Sequence, residues 1–155
     1  MTVRFATEQD IPEINTLLYQ VNNVHADGRS DIFIHGRKKY TSDELKEILK
    51  DSSRPILVAV DESNKALGYA FCILESADGD NLKPITTLYI DDLCVLEDCR
   101  GMGIGTLLYE SVKLLAAQKG CYHITLNVWC LNSGAMKFYE KCGLKPLKVT
   151  MEDIL

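Results

Sequence analysis

The chain has 155 residues, 46% of them hydrophobic, and a formal charge of −5. That suits a single domain spanning residues 1–155 and lacks the clustered basic excess of a nucleic-acid binder. No run reaches the roughly 18 apolar residues that cross a membrane, and MTVRFATEQD has no signal-peptide core, so a cytoplasmic protein without membrane or nucleic-acid partners is expected.

Val3–Ala6 reads as a short strand. Thr7 then caps a helix, with Asp10 as the acid of a capping box and Ile11, Ile14, Leu17, Leu18 and Val21 as its apolar stripe. The pattern fades through Asn22–His25 into the irregular segment ADGRSDIFIHGRKKY, and Thr41–Glu44 restarts a helix that ends near Asp51. Residues 54–61 and 66–75 form an antiparallel hairpin, and Pro84 opens a long strand to Val95. A helix from Gly103 to Gln118 closes on Gly120. A strand over 121–129, a helix over 132–142 and a final strand within LKPLKVTMEDIL complete the chain. The expected order is β-α-α-β-β-β-α-β-α-β: mixed α/β layers, not a doubly wound parallel sheet. The six cysteines form no CxxC pair and several sit in apolar runs, so reduced core thiols and no metal site are expected.

The segment Arg100-Gly101-Met102-Gly103-Ile104-Gly105-Thr106 sets three glycines at alternate positions where a helix begins. Glycine there permits positive φ and close approach of a ligand, and the helix start offers unpaired N–H groups and a positive dipole end, a construction that holds an anion such as phosphate. No glycine is followed by Lys and Ser/Thr, so a Walker loop fails. A dinucleotide fingerprint fails at Thr106 or Leu108. What remains is Arg100-x-x-Gly103-x-Gly105 between a strand with an acidic turn and a helix, or else an incidental glycine turn.

With LCVLEDCRGMGIGTLLYESV, the strand ITLNVW, and Asn132 followed by SGAMKF and Tyr139, the chain resembles the GCN5-related N-acetyltransferase (GNAT) family, closely over Thr86–Gly143 and loosely elsewhere. The resemblance implies a mixed, mostly antiparallel central sheet with helices on both faces and a β-α-β crossover that binds the cofactor. It implies acetyl-coenzyme A as cosubstrate, its pyrophosphate held by the backbone from Arg100 and Gly101 through Met102, Gly103, Ile104 and Gly105 to Thr106. It implies that the main chain of Leu93 and Val95, with Cys94 between them, holds the thioester and pantetheine arm. Asn132 would contact the cofactor, and Tyr139 would stand near its sulfur. Family members are often dimers, which makes a homodimer a further expectation.

Acetyl transfer to an amine needs a neutral nucleophile, a polarised carbonyl and a protonated leaving thiolate. Deprotonating a lysine-type amine at pH 7 costs about 4.6 kcal/mol, an α-amino group only about 1 to 1.5. A phenol near pKa 10 suits Tyr139 as the acid for the thiolate, where the bland alternative is a helix tyrosine packed beside Phe138. Asp91 and Asp92 are the base candidates, with Asp91 preferred, acting through a water. Adjacent strand positions predict that the two point to opposite faces, the bland alternative being a bulge or a strand edge where one is solvated. In YIDDLCV this pair resembles that of polyamine and glucosamine-phosphate acetyltransferases, which recognise and deprotonate an amine there. N-terminal acetyltransferases of ribosomal proteins carry a glutamate base where this chain has Asn127, which favours a small amine. His25, His35 and Asp92 are candidate substrate contacts, though loop histidines are more often solvated. His123 reads as structural, the Cys94 side chain as core-facing, and Trp129 as packing near the cofactor helix. The favoured reading is an acetyl-coenzyme A-dependent N-acetyltransferase for a small primary amine, by direct attack on the thioester. The alternatives are a protein N-terminal or lysine acetyltransferase and a non-catalytic coenzyme A-binding module.

Overall fold

A computed structural model describes all 155 residues. Its elements are β1 (Thr2–Phe5), α1 (Ile11–Gly28), α2 (Ser42–Lys50), β2 (Ile56–Val60), β3 (Ala66–Ser76), β4 (Thr86–Val95), α3 (Ile104–Gln118), β5 (His123–Leu126) and α4 (Ser133–Lys141), with a 3-10 turn at Glu8–Asp10.

Asp10 accepts from the Thr7 amide at 2.7 Å, as a capping acid should, and at the same time takes both ends of the Arg4 guanidinium at 2.8 and 2.9 Å. Burial alone would raise this carboxyl, but the bonds from Arg4 and Thr7 outweigh it and hold Asp10 below the usual range. α1 runs on through Asn22–His25 to Gly28, beyond the expected fade. Its asparagines bond to the following loop instead of ending the helix: Asn22 donates to the Ile34 carbonyl and Asn23 accepts from the Gly36 amide, both at 2.8 Å.

The sheet order is β1-β2-β3-β4-β5, antiparallel throughout except for the parallel pair β4–β5 that brackets α3. Alternation along β2 and β3 feeds two cores. Ile14, Leu17, Leu18, Leu45 and Ile48 of α1 and α2 pack on Val58, Tyr69 and Phe71 at one face. Ile104, Leu108, Val112 and Leu115 of α3 pack on Leu57, Ala59, Ala70 and Leu88 at the other. The fold is thus a mixed α/β sheet with helices on both faces.

Two expectations are corrected. β5 spans only His123–Leu126, and no strand follows α4. Leu147, Val149 and Met151 alternate as a strand would, but they lie 70–85% exposed, with Pro146 interrupting the segment and no neighbouring strand pairing with it. Glu152 reaches back to the guanidinium of Arg29. No helix is long and apolar enough to cross a membrane.

Candidate active site

The acidic pair sits on a register shift. Phe71 is opposite Asp92 and Cys72 is opposite Ile90, so Asp91 is an extra residue in β4, a β-bulge. The bulge reverses which face each later residue presents. Leu88 and Ile90 enter the core beneath α3, whereas Cys94, an even number of positions on, enters the core beneath α1. The expectation of opposite faces for Asp91 and Asp92 is therefore wrong. Asp92 accepts from the Tyr69 hydroxyl at 2.6 Å. Asp91 accepts from the Tyr40 hydroxyl and from Lys39 Nζ, each at 2.6 Å. Tyr40 stacks on Phe71 at 5.6 Å between centroids, and Phe71 meets Tyr69 edge-on at 4.8 Å, so one aromatic floor carries both acids.

The two carboxylates are unequally engaged. Asp91 has one strong bond on each oxygen, and Arg54 supports its tyrosine partner at 3.2 Å. Burial pushes the Asp92 carboxyl up to about 6, against the opposing pull of the Tyr69 bond and the charge of Lys39. Burial, and then the neighbouring carboxylate, also raise Tyr40 and Tyr69 well above the phenol range.

Beyond the bulge the sheet splays. β4 and β5 stay paired from Thr87/His123 to Ile90/Leu126 and then part, while β4 remains on β3 to Val95. The main chain of Leu93–Val95 is thereby left without a strand partner on its β5 side. The Cys94 thiol turns the other way: it is 5% exposed, contacts the Leu17 carbonyl at 3.7 Å, and is pushed up to about 12 by burial. Gln20, which no sequence motif singles out, ties α1 to this strand end. It donates to the Val95 carbonyl and accepts from the Glu97 amide, both at 3.0 Å.

In the glycine loop, Gly101 and Gly103 have φ of 79° and 82°. A Cβ at either would meet nothing within 4 Å, so glycine is needed for conformation and the loop is open. Gly103 is the N-cap of α3 and no side chain caps that helix, leaving its first-turn amides free of side-chain partners. Gly105 serves packing: a Cβ there would sit 3.3 Å from the Phe138 ring, which seats α4 against the start of α3. Arg100, Met102 and Thr106 surround the loop at its surface, and Ile104 is buried beneath it. Two left-handed glycines before an uncapped helix of 15 residues fit a bound pyrophosphate.

Asn132 caps α4, its side-chain oxygen accepting from the Ala135 amide at 3.1 Å. Tyr139, further along the same helix, is half-buried; burial first and the charge of Asp92 second raise its phenol above the ordinary range. It is neutral at pH 7 and near enough to Asp92 to feel its charge. Asn127 donates to the Tyr89 hydroxyl at 3.2 Å.

The loop after α1 packs through Phe33 on Trp129, ring centroids 5.2 Å apart. His25 lies 5.0 Å from the Phe33 ring and 6.3 Å from Trp129. Burial, then the charge of Lys39, lowers its pKa. Trp129 thus packs on this loop, a correction to its expected place near the cofactor helix; its partner Phe33 is far away in the chain and invisible to local pattern. His35 is exposed, 3.5 Å from Asp27, and His123 pairs with the Thr87 hydroxyl at 2.8 Å.

The chain matches the family model described as the acetyltransferase (GNAT) family over residues 20–144. It is 35% identical over 63 residues to glucosamine 6-phosphate N-acetyltransferase 1 of Dictyostelium discoideum, covering 41% of this chain and 38% of that one. It is 33% identical over 108 residues to an N-alpha-acetyltransferase of Sulfurisphaera tokodaii, covering 66% and 64%. The chain matches less than two thirds of the length of these curated relatives. Among solved structures, a mutant of the BH1408 protein from Bacillus halodurans is 33% identical with a TM-score of 0.95, over 100% of this chain and 99% of that one. The aminoglycoside N-acetyltransferase AAC(6')-Iy in complex with CoA shares the fold at a TM-score of 0.72 and 16% identity, over 99% and 98%.

Proposed function

Because the chain belongs to the GNAT acetyltransferase family, we propose that it is an acetyl-coenzyme A-dependent N-acetyltransferase acting on the primary amine of a small molecule. The observation that carries this reading is the bulged acidic pair: two carboxylates on one face, one charge-paired and the other with a pKa near 6, beside a neutral tyrosine.

The amides from Gly101 to Thr106 hold the pyrophosphate, and the open main-chain edge at Leu93–Val95 holds the pantetheine arm. When bound, the cosubstrate supplies an acetyl thioester. Asp92 takes the proton from the acceptor amine; a carboxyl near pKa 6 is a better base than an ordinary aspartate and is still mostly ionised at pH 7. Asp91, held by Lys39 and Tyr40, marks the place where an ammonium is received. Tyr139 keeps its proton at physiological pH and gives it from Oη to the leaving sulfur. Amides at the splayed strand stabilise charge developing on the carbonyl oxygen.

A protein N-terminus is the second reading, favoured by the similarity to the Sulfurisphaera tokodaii N-alpha-acetyltransferase. Against it, the position of the glutamate base in related N-terminal enzymes holds Asn127, whose amide is bonded to Tyr89. Release of free thiol from acetyl-coenzyme A, measured over small amines and over peptides with free N-termini, separates the two. Turnover with small amines is expected; turnover with peptides alone supports the second reading, and none with either removes the enzyme.

A further inference from the structure

Lys39 places a primary amine at the acidic pair. Its Nζ lies 2.6 Å from Asp91 Oδ1, while its side chain is 48% exposed and its carboxylate partner only 11%. Its charge is felt at Asp92 and at His25. The adjacent Lys38 is built differently: its Nζ turns to Asn15 Oδ1 on α1, over the Tyr19 ring. Lys39 therefore stands where the site would receive the ammonium of an incoming acceptor.

We propose that Lys39 is itself an acetyl acceptor, a self-modification site of this chain. The inference rests on the acetyltransferase reading above. In the step, the proton that makes Lys39 nucleophilic passes to Asp92 and on to solvent. A bond forms between Nζ and the carbonyl carbon of the acetyl thioester, and the carbon–sulfur bond breaks. The sulfur leaves as coenzyme A thiol with the Tyr139 proton, which solvent replaces. The nitrogen loses a second proton to solvent as the amide forms, so the products are an uncharged amide on Lys39, one thiol and, net, one proton. Once acetylated, Lys39 no longer neutralises Asp91, and that carboxylate is freed for an external amine.

The test is incubation of the full chain with acetyl-coenzyme A and no amine, followed by intact-mass and peptide mass spectrometry. The same preparation is titrated with coenzyme A and assayed over the amine panel. The expected result is one added acetyl group mapping to Lys39, lost in Lys39→Arg and slowed at least tenfold in Tyr139→Phe. Coenzyme A binding and amine turnover with Lys39 unmodified overturn the inference alone. So does equal acetylation of Lys38 and Lys39, or an unchanged rate in Tyr139→Phe, since each marks uncatalysed chemistry. Absence of both binding and turnover overturns the acetyltransferase reading, and this inference with it.

Discussion

Replacing Asp92 by asparagine sets catalysis against stability. The carboxyl is raised from 3.8 to about 6 in the folded chain, chiefly by burial. Folding therefore favours its protonated form: the group's stabilising contribution is intact below about pH 4 and is lost as pH rises through 6. A carboxyl raised this far destabilises the folded chain by about 3 kcal/mol at pH 7 relative to an unperturbed one. Asparagine carries no charge, keeps an oxygen to accept the Tyr69 hydroxyl, and removes that penalty. Asp92→Asn should thus raise the unfolding free energy at pH 7 by about 2 kcal/mol, after allowing for a weaker bond from Tyr69, with no gain at pH 4. The same change removes the base and should lower kcat/KM by about 10²- to 10⁴-fold. In the unsubstituted chain, kcat/KM should fall about tenfold per pH unit below 6, the limb that Asp92 sets. Urea unfolding at both pH values and a pH–rate profile measure all three. A variant that is less stable at pH 7, or that keeps full kcat/KM, refutes the assignment.

Other outcomes follow from the same geometry. Tyr139→Phe should lower kcat about 10²-fold with little change in KM for the amine, and the unsubstituted enzyme should show no loss from tyrosine ionisation below about pH 10, because this phenol is raised. Gly103→Ala should weaken coenzyme A binding and cost about 1 kcal/mol in stability, both through its φ of 82°, since the added methyl meets no neighbour. Arg4→Met leaves Asp10, 3% exposed, without its charged partner and should destabilise by about 3 kcal/mol. The Arg4–Asp10 contribution is present above the ordinary carboxylate pKa and is lost as pH falls through the lowered value, so the mutant's deficit should shrink under acid titration of thermal stability.

The parts of the fold legible in the sequence are those whose causes are local. The stripe of α1, the helix start at Thr41 and the glycines before α3 depend on residues within a few positions of one another, and the structure has each in place. The bulge at Asp91 is legible only as an alternative to regular pairing, because a bulge is a property of two strands: only pairing with Phe71 and Cys72 reveals the extra residue. That single shift decides the face of Asp92 and so the character of the site. The anchoring of Asp91 by Tyr40 and Lys39, 51 and 52 residues away, and the bridge from Gln20 to Val95 were hidden for the same reason. The tail shows the opposite error. Leu147, Val149 and Met151 carry a strand's alternation, yet a strand needs a neighbour and this chain alone offers none.

The most direct measurement is hydrogen exchange, by mass spectrometry, with and without coenzyme A. The account predicts slowed exchange at Leu93–Val95 and at Gly101–Thr106, with the strands β1 and β2 unchanged. No protection at the glycine loop, or protection confined to other parts of the chain, would contradict it.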